Sequence, residues 1–140
     1  MDARAYALPA LAMALLTFAV WLRLFFTRIP EMKRERIHPQ SIALSAQAAT
    51  RLSDSRAADN FRNLFELPVL FYAALLFGGW LALDSPAFLV LAWLFVALRV
   101  VHSVIHCGYN KVMHRFYAYA AGGWVLWAMW ALIGWRLLSP

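Results

Sequence analysis

The segment PAFLVLAWLFVALRVVHSVIHC, residues 86–107, decides the fold class. A helix that crosses a membrane needs about 20 mostly apolar residues, and this run is long enough. Its few ionisable side chains are Arg99, His102 and His106. The run is continuously apolar, whereas the strands of a membrane barrel alternate apolar and polar residues. The segment therefore predicts a membrane-spanning α-helix.

Three further segments have the same character, so we expect an all-α integral membrane protein with a single four-transmembrane-helix bundle. A long polar link of about residues 28–62 follows the first span. The turn Asp84-Ser85 joins the second span to the third and predicts a tight antiparallel hairpin. The four predicted spans are about residues 6–27, 64–83, 86–107 and 116–138.

The composition agrees with this fold class. Hydrophobic residues make up 64% of the chain and charged residues 14%, against about 45–50% and 25% in soluble domains. This excludes a disordered chain, a disulfide scaffold and an ordinary soluble enzyme. The net charge of +6 lies in short segments between apolar runs, which favours contact with anionic membrane lipids and argues against a nucleic-acid partner. Cys107 is the only cysteine, so no intrachain disulfide can form.

The basic residues also predict an orientation. Cytoplasmic loops carry an excess of Lys and Arg. The long first link is rich in both, and the link before the fourth span carries Lys111 and Arg115. We therefore expect both basic links on the cytoplasmic side and both termini on the opposite side. The basic residues of the first link are Arg28, Lys33, Arg34, Arg36, Arg51, Arg56 and Arg62.

Ionisable side chains gather near one end of the predicted bundle. Such residues are costly inside a membrane, so they usually pair with one another or mark a site. Arg99, His102 and His106 are spaced i, i+3 and i+7 and share one helix face. Glu66 stands at the start of the second span and Arg115 at the start of the fourth. We expect one polar layer in the cytoplasmic third of the bundle.

A second polar face precedes the second span. If that helix extends back past Arg56, its polar residues lie within an arc of about 120°. Ser53 or Asp54 would cap the extension, and Pro68 would kink the helix. The residues of this face are Arg56, Asp59, Asn60, Asn63 and Glu66. A third polar stripe, on the fourth span, is formed by Arg115, Tyr119 and Gly122.

These residues leave several interpretations open. In one interpretation, Glu66 and Arg99 form a buried ion pair whose only role is to neutralise both charges. The two histidines lack a third ligand, so we expect no metal. A functional interpretation is a site for a small anion with carboxylates, since Arg binds carboxylates bidentately and Glu accepts an ammonium group. If that anion carried a thiol, a nearby Arg would favour the thiolate.

Two motifs resemble the MAPEG family, the membrane-associated proteins of eicosanoid and glutathione metabolism. The first lies in RAADNFRNLFELPVLFY, residues 56–72, and is similar to the family's Arg-x3-Asn-x2-Glu signature at the start of the second helix. The second is Arg99-x2-His102-x3-His106, followed by Arg115. The resemblance is to bacterial-type members and to the microsomal glutathione transferase and prostaglandin E synthase branches.

The resemblance implies a homotrimer that binds glutathione between subunits near the cytoplasmic face. Arg115 would be the catalytic residue that stabilises the glutathione thiolate. Apolar electrophiles or lipid hydroperoxides would enter from the bilayer. The residues that the resemblance, together with the polar stripes, assigns to glutathione binding are Arg56, Asn60, Asn63, Glu66, Arg99, His102, His106 and Tyr119.

The chain departs from the family pattern at several positions. The first motif fits in two registers. In one, Arg56 and Asn60 keep the family spacing, but Asn63 stands where the family has Glu. In the other, Asn63 and Glu66 keep the spacing, but Asp59 stands where the family has Arg. His106 replaces a tyrosine, and Phe116 replaces the serine of the prostaglandin enzyme, so we expect no prostaglandin synthase. Two hypotheses follow: a glutathione-dependent transferase or peroxidase, and a non-catalytic lipid-binding or accessory subunit. A transporter ranks third, since no repeated halves or paired broken helices are present.

Overall fold

The computed structural model describes residues 3–139, and the regular elements in that range are all helical. A short 3₁₀ turn, Pro39–Ile42, lies between the first two α-helices. The α-helices are α1 (Ala3–Arg34), α2 (Ser45–Arg51), α3 (Arg56–Asn63), α4 (Leu67–Trp80), α5 (Pro86–Cys107) and α6 (Val112–Leu138).

Helix α1 is longer than the apolar run that predicted it. At 1.5 Å per residue its 32 residues extend about 48 Å, which exceeds the about 30 Å of a bilayer core. The extra turns contain Pro30 and end in Lys33 and Arg34, whose charges suit a helix C-terminus. Residues 28–34 are therefore helical rather than part of the polar link. Polar residues continue a helix as well as apolar ones do, so hydropathy alone misplaces its end.

The second span consists of two helices, α3 and α4, joined at residues 64–66. We expected one helix with a kink at Pro68, but the break lies a turn earlier. Proline has no N–H, and its ring clashes with the carbonyl of the residue four positions before it, which here is Leu64. Leu64 is accordingly the C-cap of α3 and Pro68 lies in the first turn of α4. The N-cap of α3 is Ser55, which makes no side-chain capping hydrogen bond, rather than Ser53 or Asp54 as we expected. Asp54 Oδ1 accepts the Arg56 N–H at 3.1 Å from the position before the cap.

The link between α4 and α5 spans residues 81–85. Ala82 has a φ of 45°, in the left-handed region that non-glycine residues rarely adopt, and its N–H bonds to the Gly79 carbonyl. The Tyr6 hydroxyl donates to the Leu83 carbonyl and ties this link to α1. Ser85 caps α5 by accepting the Phe88 N–H at 3.3 Å. The predicted antiparallel hairpin forms, with a longer link than Asp84-Ser85 alone.

Aromatic packing holds the bundle together. The rings of Phe71 in α4 and Phe95 in α5 stack with centroids 4.5 Å apart, and both are fully buried. Met13 of α1 and Leu126 of α6 are also fully buried, so four helices contribute to the core. Helices α5 and α6 pack along each other, while α1 lies against α3, α4 and α5.

The four long helical segments suit a membrane. Each is apolar enough and long enough to cross it: 4–34, 56–80 (α3 and α4 together), 86–107 and 112–138. Large apolar side chains point outward, including Leu76, Trp80 and Trp124. In a bilayer such side chains face lipid or a neighbouring subunit rather than water. The structure is a four-helix membrane bundle.

Gly78 is required by the contact of α4 with α5. A Cβ at this position would lie 2.9 Å from Cε1 and Cζ of the buried Phe88 ring and 3.3 Å from Cε1 of Tyr6. We expect Gly78→Ala to destabilise the bundle by about 1–3 kcal/mol through overpacking, measured as a lower unfolding temperature in detergent. Gly134→Ala is the matched control, because a Cβ there meets nothing within 4 Å. Equal unfolding temperatures for the two variants would contradict this packing.

Candidate functional site

A cavity of about 310 Å³ lies where α5 and α6 meet the junction between α3 and α4. Its lining combines polar and apolar side chains. Glu66, His102, His106 and Arg115 belong to the polar layer that the sequence predicted, while Asn63 and Tyr119 come from the other two predicted polar faces. The lining residues are Asn63, Glu66, His102, His106, Val112, Arg115, Phe116 and Tyr119.

Arg99 lies behind this cavity and is completely buried. Its guanidinium carbon sits 5.5 Å from the centroid of the Tyr119 ring, within the range of a cation–π contact. Gly122 of α6 packs against it, and a Cβ there would lie in ordinary van der Waals contact with Arg99 Cδ, at 3.9 Å. Nη2 donates two hydrogen bonds, whereas Nε and Nη1 are buried without a partner in the described residues. A buried cation with unpaired donors is costly.

Asn63 connects Arg99 to Glu66. Arg99 Nη2 donates to the Asn63 backbone carbonyl at 2.8 Å and to its Oδ1 at 3.0 Å. The Asn63 Nδ2 in turn donates to Glu66 Oε2 at 3.0 Å. The direct Glu66–Arg99 ion pair, one of the interpretations that the sequence left open, is not present between these described residues. The reason is the helix break, which turns Glu66 outward and leaves its side chain exposed.

The two histidines line the cavity from α5. Their rings pack edge to face with centroids 5.4 Å apart. Nδ1 of His102 lies 3.1 Å from the Arg115 carbonyl, and a carbonyl only accepts, so Nδ1 carries the hydrogen. In the neutral ring, Nε2 of His102 is then an acceptor, and it has no partner in the described part of the chain. Nδ1 of His106 is likewise buried and unpartnered there.

Arg115 enters the cavity from the first turns of α6. Its Nη1 donates to Asn110 Oδ1 at 2.9 Å, and its side chain is half-buried. The N-terminal end of a helix carries a partial positive charge, which adds to that of the guanidinium. Val112, three residues before Arg115, and Phe116, the residue after it, present apolar and exposed side chains to the same cavity. Positive charge and apolar surface therefore meet at this point.

Two of the predicted binding residues lie elsewhere. Asn60 is fully buried between α3 and α5, where its Nδ2 donates to Cys107 Sγ at 3.4 Å and its Oδ1 accepts from Ser103 Oγ at 3.3 Å. Arg56 binds Asp54 at 2.8 Å and the Gly108 carbonyl at 2.5 Å. The helix break separates both from Glu66. Of the two motif registers, the one that pairs Asn63 with Glu66 lines the cavity.

Several residues at this site escaped the sequence analysis. Val112 lines the cavity, and Asn110 contacts Arg115. Arg23 of α1 donates to the Cys107 carbonyl at 2.7 Å, next to the Gly108 carbonyl that Arg56 binds. The one available signal was Asn110 itself, since Asn in a short link often marks a left-handed residue.

The comparison with known proteins agrees with this architecture. The model of the MAPEG family matches residues 6–135 of the 140-residue chain. The chain belongs to the MAPEG family. No match was found among curated proteins or among solved structures.

Family membership confirms the fold that the sequence predicted. This MAPEG protein is an integral membrane protein, and its family supports a function related to glutathione in general. Members of the MAPEG family use glutathione as a substrate or cofactor.

Asp54 gives this MAPEG protein a defined response to acid. Its hydrogen bonds with Arg56 hold the pKa of the Asp54 carboxyl below its usual value of 3.8. The stabilisation is therefore present above that value and is lost as the pH falls through the lowered pKa of the folded state. We expect Asp54→Asn to lower the unfolding temperature at pH 7 and to make no difference once the pH lies below the lowered pKa of the folded carboxyl.

Thermal unfolding in detergent across this pH range measures the effect. Glu35→Gln is the control, because Glu35 and its partner Arg34 are both more than half exposed and such a pair contributes little. A deficit for Asp54→Asn that persists unchanged into acid would contradict the assigned ion pair.

Proposed function

We propose that this protein is a membrane-bound glutathione-dependent transferase or peroxidase that acts on apolar electrophiles or lipid hydroperoxides. The single observation that carries the proposal is the cavity at Arg115. It combines a guanidinium, a carboxylate and buried, unpartnered ring nitrogens with an apolar wall. Both kinds of substrate that such a reaction needs, one polar and one apolar, find matching chemistry there.

The polar side of the cavity suits a small peptide that carries carboxylates and one ammonium group. Glu66 accepts hydrogen bonds only, so it would hold the ammonium group. The free nitrogens of Arg99, together with those of His102 and His106, would receive the carboxylates or peptide groups. Tyr119 packs against both Arg99 and His102 and keeps them in place. This set explains why buried polar atoms without partners concentrate beside the cavity.

Arg115 is the residue that we assign to the reaction itself. When bound, glutathione would supply the sulfur nucleophile, and a cation beside a thiol lowers its pKa from about 8.5. Arg115 carries a permanent charge, and the start of α6 adds to it. The thiol proton would pass to water, and Arg115 would stabilise the negative charge left on sulfur. That sulfur would then bond to the electrophilic carbon as its leaving group departs, or to the terminal oxygen of a hydroperoxide as the O–O bond breaks and the alcohol leaves.

The apolar substrate would come from the bilayer. Val112 is 61% exposed and Phe116 55% exposed, and both line the cavity. They connect it with the outer apolar surface of α6. A membrane-dissolved electrophile thus reaches Arg115 without crossing water, while the peptide enters from the polar side.

We also propose the assembly and orientation that the sequence predicts. A volume of about 310 Å³ is at the lower end for ligand sites, so a neighbouring subunit of a homotrimer would complete the cavity. With the basic links in the cytoplasm and both termini on the other side, the cavity lies near the cytoplasmic face.

A second candidate function is non-catalytic lipid binding, as a lipid-binding or accessory membrane subunit. It is favoured by an apolar groove of about 510 Å³ between α1 and α4, at the end of the bundle that holds the α4–α5 link. Tyr6, Tyr72 and Trp80 line it. A protein with this function would bind lipid in the groove between α1 and α4, and its polar cavity would catalyse no reaction.

Arg115 variants test the proposed reaction. Adding glutathione to the purified protein in detergent should produce the ultraviolet absorbance of a bound thiolate. We expect Arg115→Ala to abolish this signal and to lower turnover about 100-fold or more, because a positioned cation that stabilises developing charge contributes this much. Arg136→Ala, on the exposed end of α6, is the matched control and should behave as wild type.

The outcomes separate the two candidate functions. Thiolate in wild type and its loss in Arg115→Ala support the enzyme. A wild-type protein that retains bound lipid, forms no thiolate and turns over no electrophile supports the lipid-binding candidate instead.

Glu66 provides a test of how the peptide is held. We expect Glu66→Gln to weaken binding of glutathione about tenfold, since hydrogen bonds between charged groups are strong. Binding of an analogue without the α-amino group should not change. Calorimetry on both ligands measures this, and an equal loss for both would contradict the proposed contact with the ammonium group.

A further inference from the structure

We propose that Asn110 is a positioning residue, which acts on the reaction by fixing the guanidinium of Arg115. The inference rests on the proposed function of Arg115. Asn110 lies in the link between α5 and α6, outside the cavity lining and outside both motifs. It is placed there by its own backbone conformation and by two arginines from other helices.

The first step is the backbone of Asn110. Its φ is 51°, in the left-handed region, where Asn is tolerated better than other residues with a side chain. Its N–H bonds to the Ile105 carbonyl at 2.8 Å and closes the end of α5. This conformation reverses the chain within residues 108–111. Asn110 thereby stands beside the first turns of α6.

The second step is the attachment of this link to the bundle. Two guanidinium groups bind the last carbonyls of α5: Arg23 of α1 at Cys107 and Arg56 of α3 at Gly108, at 2.7 and 2.5 Å. Carbonyls at a helix C-terminus lack partners and carry partial negative charge, so cations bind there favourably. The base of the link is therefore held from two sides.

The third step is the contact with Arg115. Asn110 Oδ1 accepts a hydrogen bond from Arg115 Nη1 at 2.9 Å, while His102 Nδ1 donates to the Arg115 backbone carbonyl. Both the side chain and the main chain of Arg115 are thus held. A flexible arginine loses less freedom on contact with an anion when one of its nitrogens is already fixed. Asn110 is neutral, so it orients the guanidinium without competing for its charge.

Arg56 gains a role from the same geometry. It is away from the cavity, yet it holds the Gly108 carbonyl two residues before Asn110. Its effect on the reaction passes through the link to Arg115 rather than through contact with a ligand.

Two variants of Asn110 test the inference. Asn110→Gly keeps the left-handed backbone and removes the side-chain acceptor. Asn110→Asp keeps an acceptor but adds a charge that competes with a thiolate for Arg115. The titration of bound glutathione, followed by thiolate absorbance against pH in the full-length protein, is the measurement. We expect its midpoint to rise in Asn110→Gly by about one pH unit, which is about tenfold less thiolate at a fixed pH below the midpoint.

The pattern across variants distinguishes positioning from a structural effect. Asn110→Asp should raise the midpoint at least as far, with glutathione affinity at low pH unchanged in both variants. Arg36→Gly is the matched control, because Arg36 has a φ of 52° in another link and is exposed. Size-exclusion profiles show whether Asn110→Gly and Asn110→Asp assemble as wild type does. The titration midpoint is then compared with wild type in whichever of the two variants assembles normally.

The failure of this inference can be distinguished from the failure of the proposed function. If wild type forms a thiolate and Asn110→Gly titrates at the same midpoint, the inference is overturned and the proposed function stands. A wild type that forms no thiolate overturns both.

Discussion

A completely buried arginine at membrane depth is the constraint on which the rest of the site depends. Arg99 must find acceptors inside the bundle, because neither lipid nor core side chains supply them. Asn63 supplies a backbone and a side-chain acceptor, and both are available because α3 ends there. The break between α3 and α4 is therefore part of the binding of Arg99.

Most of the fold is predictable from sequence because one requirement dominates: a helix that crosses the bilayer needs about 20 mostly apolar residues. Long apolar runs fix the number, order and fold class of the spans, and the third span is predicted to the residue. Helix ends are harder, since polar residues outside the bilayer continue a helix freely, as in α1. The break at residues 64–66 depends on the clash that one proline creates a turn earlier, which an apolar pattern does not register.

The sequence grouped several of the polar residues that line the cavity, but it did not predict their contacts. Spacing placed Arg99, His102 and His106 on one face, and the structure has His102 and His106 lining one cavity with Arg99 behind them. Spacing also joined Asn60 to Glu66, because an uninterrupted helix was assumed. Contacts such as Asn110 with Arg115 involve backbone angles in a link, and these follow from tertiary contacts at both helix ends. Periodicity carries no information about such links.

Hydrogen bonds between Glu31 and Ser53 join the two ends of the link from α1 to α3. Glu31 accepts hydrogen bonds from the N–H and the hydroxyl of Ser53, at 2.5 and 2.7 Å, and so closes a loop of residues 32–52. Chain length within a closed loop changes the free energy slowly, by about 0.6 kcal/mol for each doubling. Residues inserted between Glu31 and Ser53 therefore leave the start of α3 in place. They also leave the α5–α6 link in place, because Arg56 of α3 binds the Gly108 carbonyl. The link between α1 and α3 can thus change in length while the geometry at the end of the bundle that holds the polar cavity is kept.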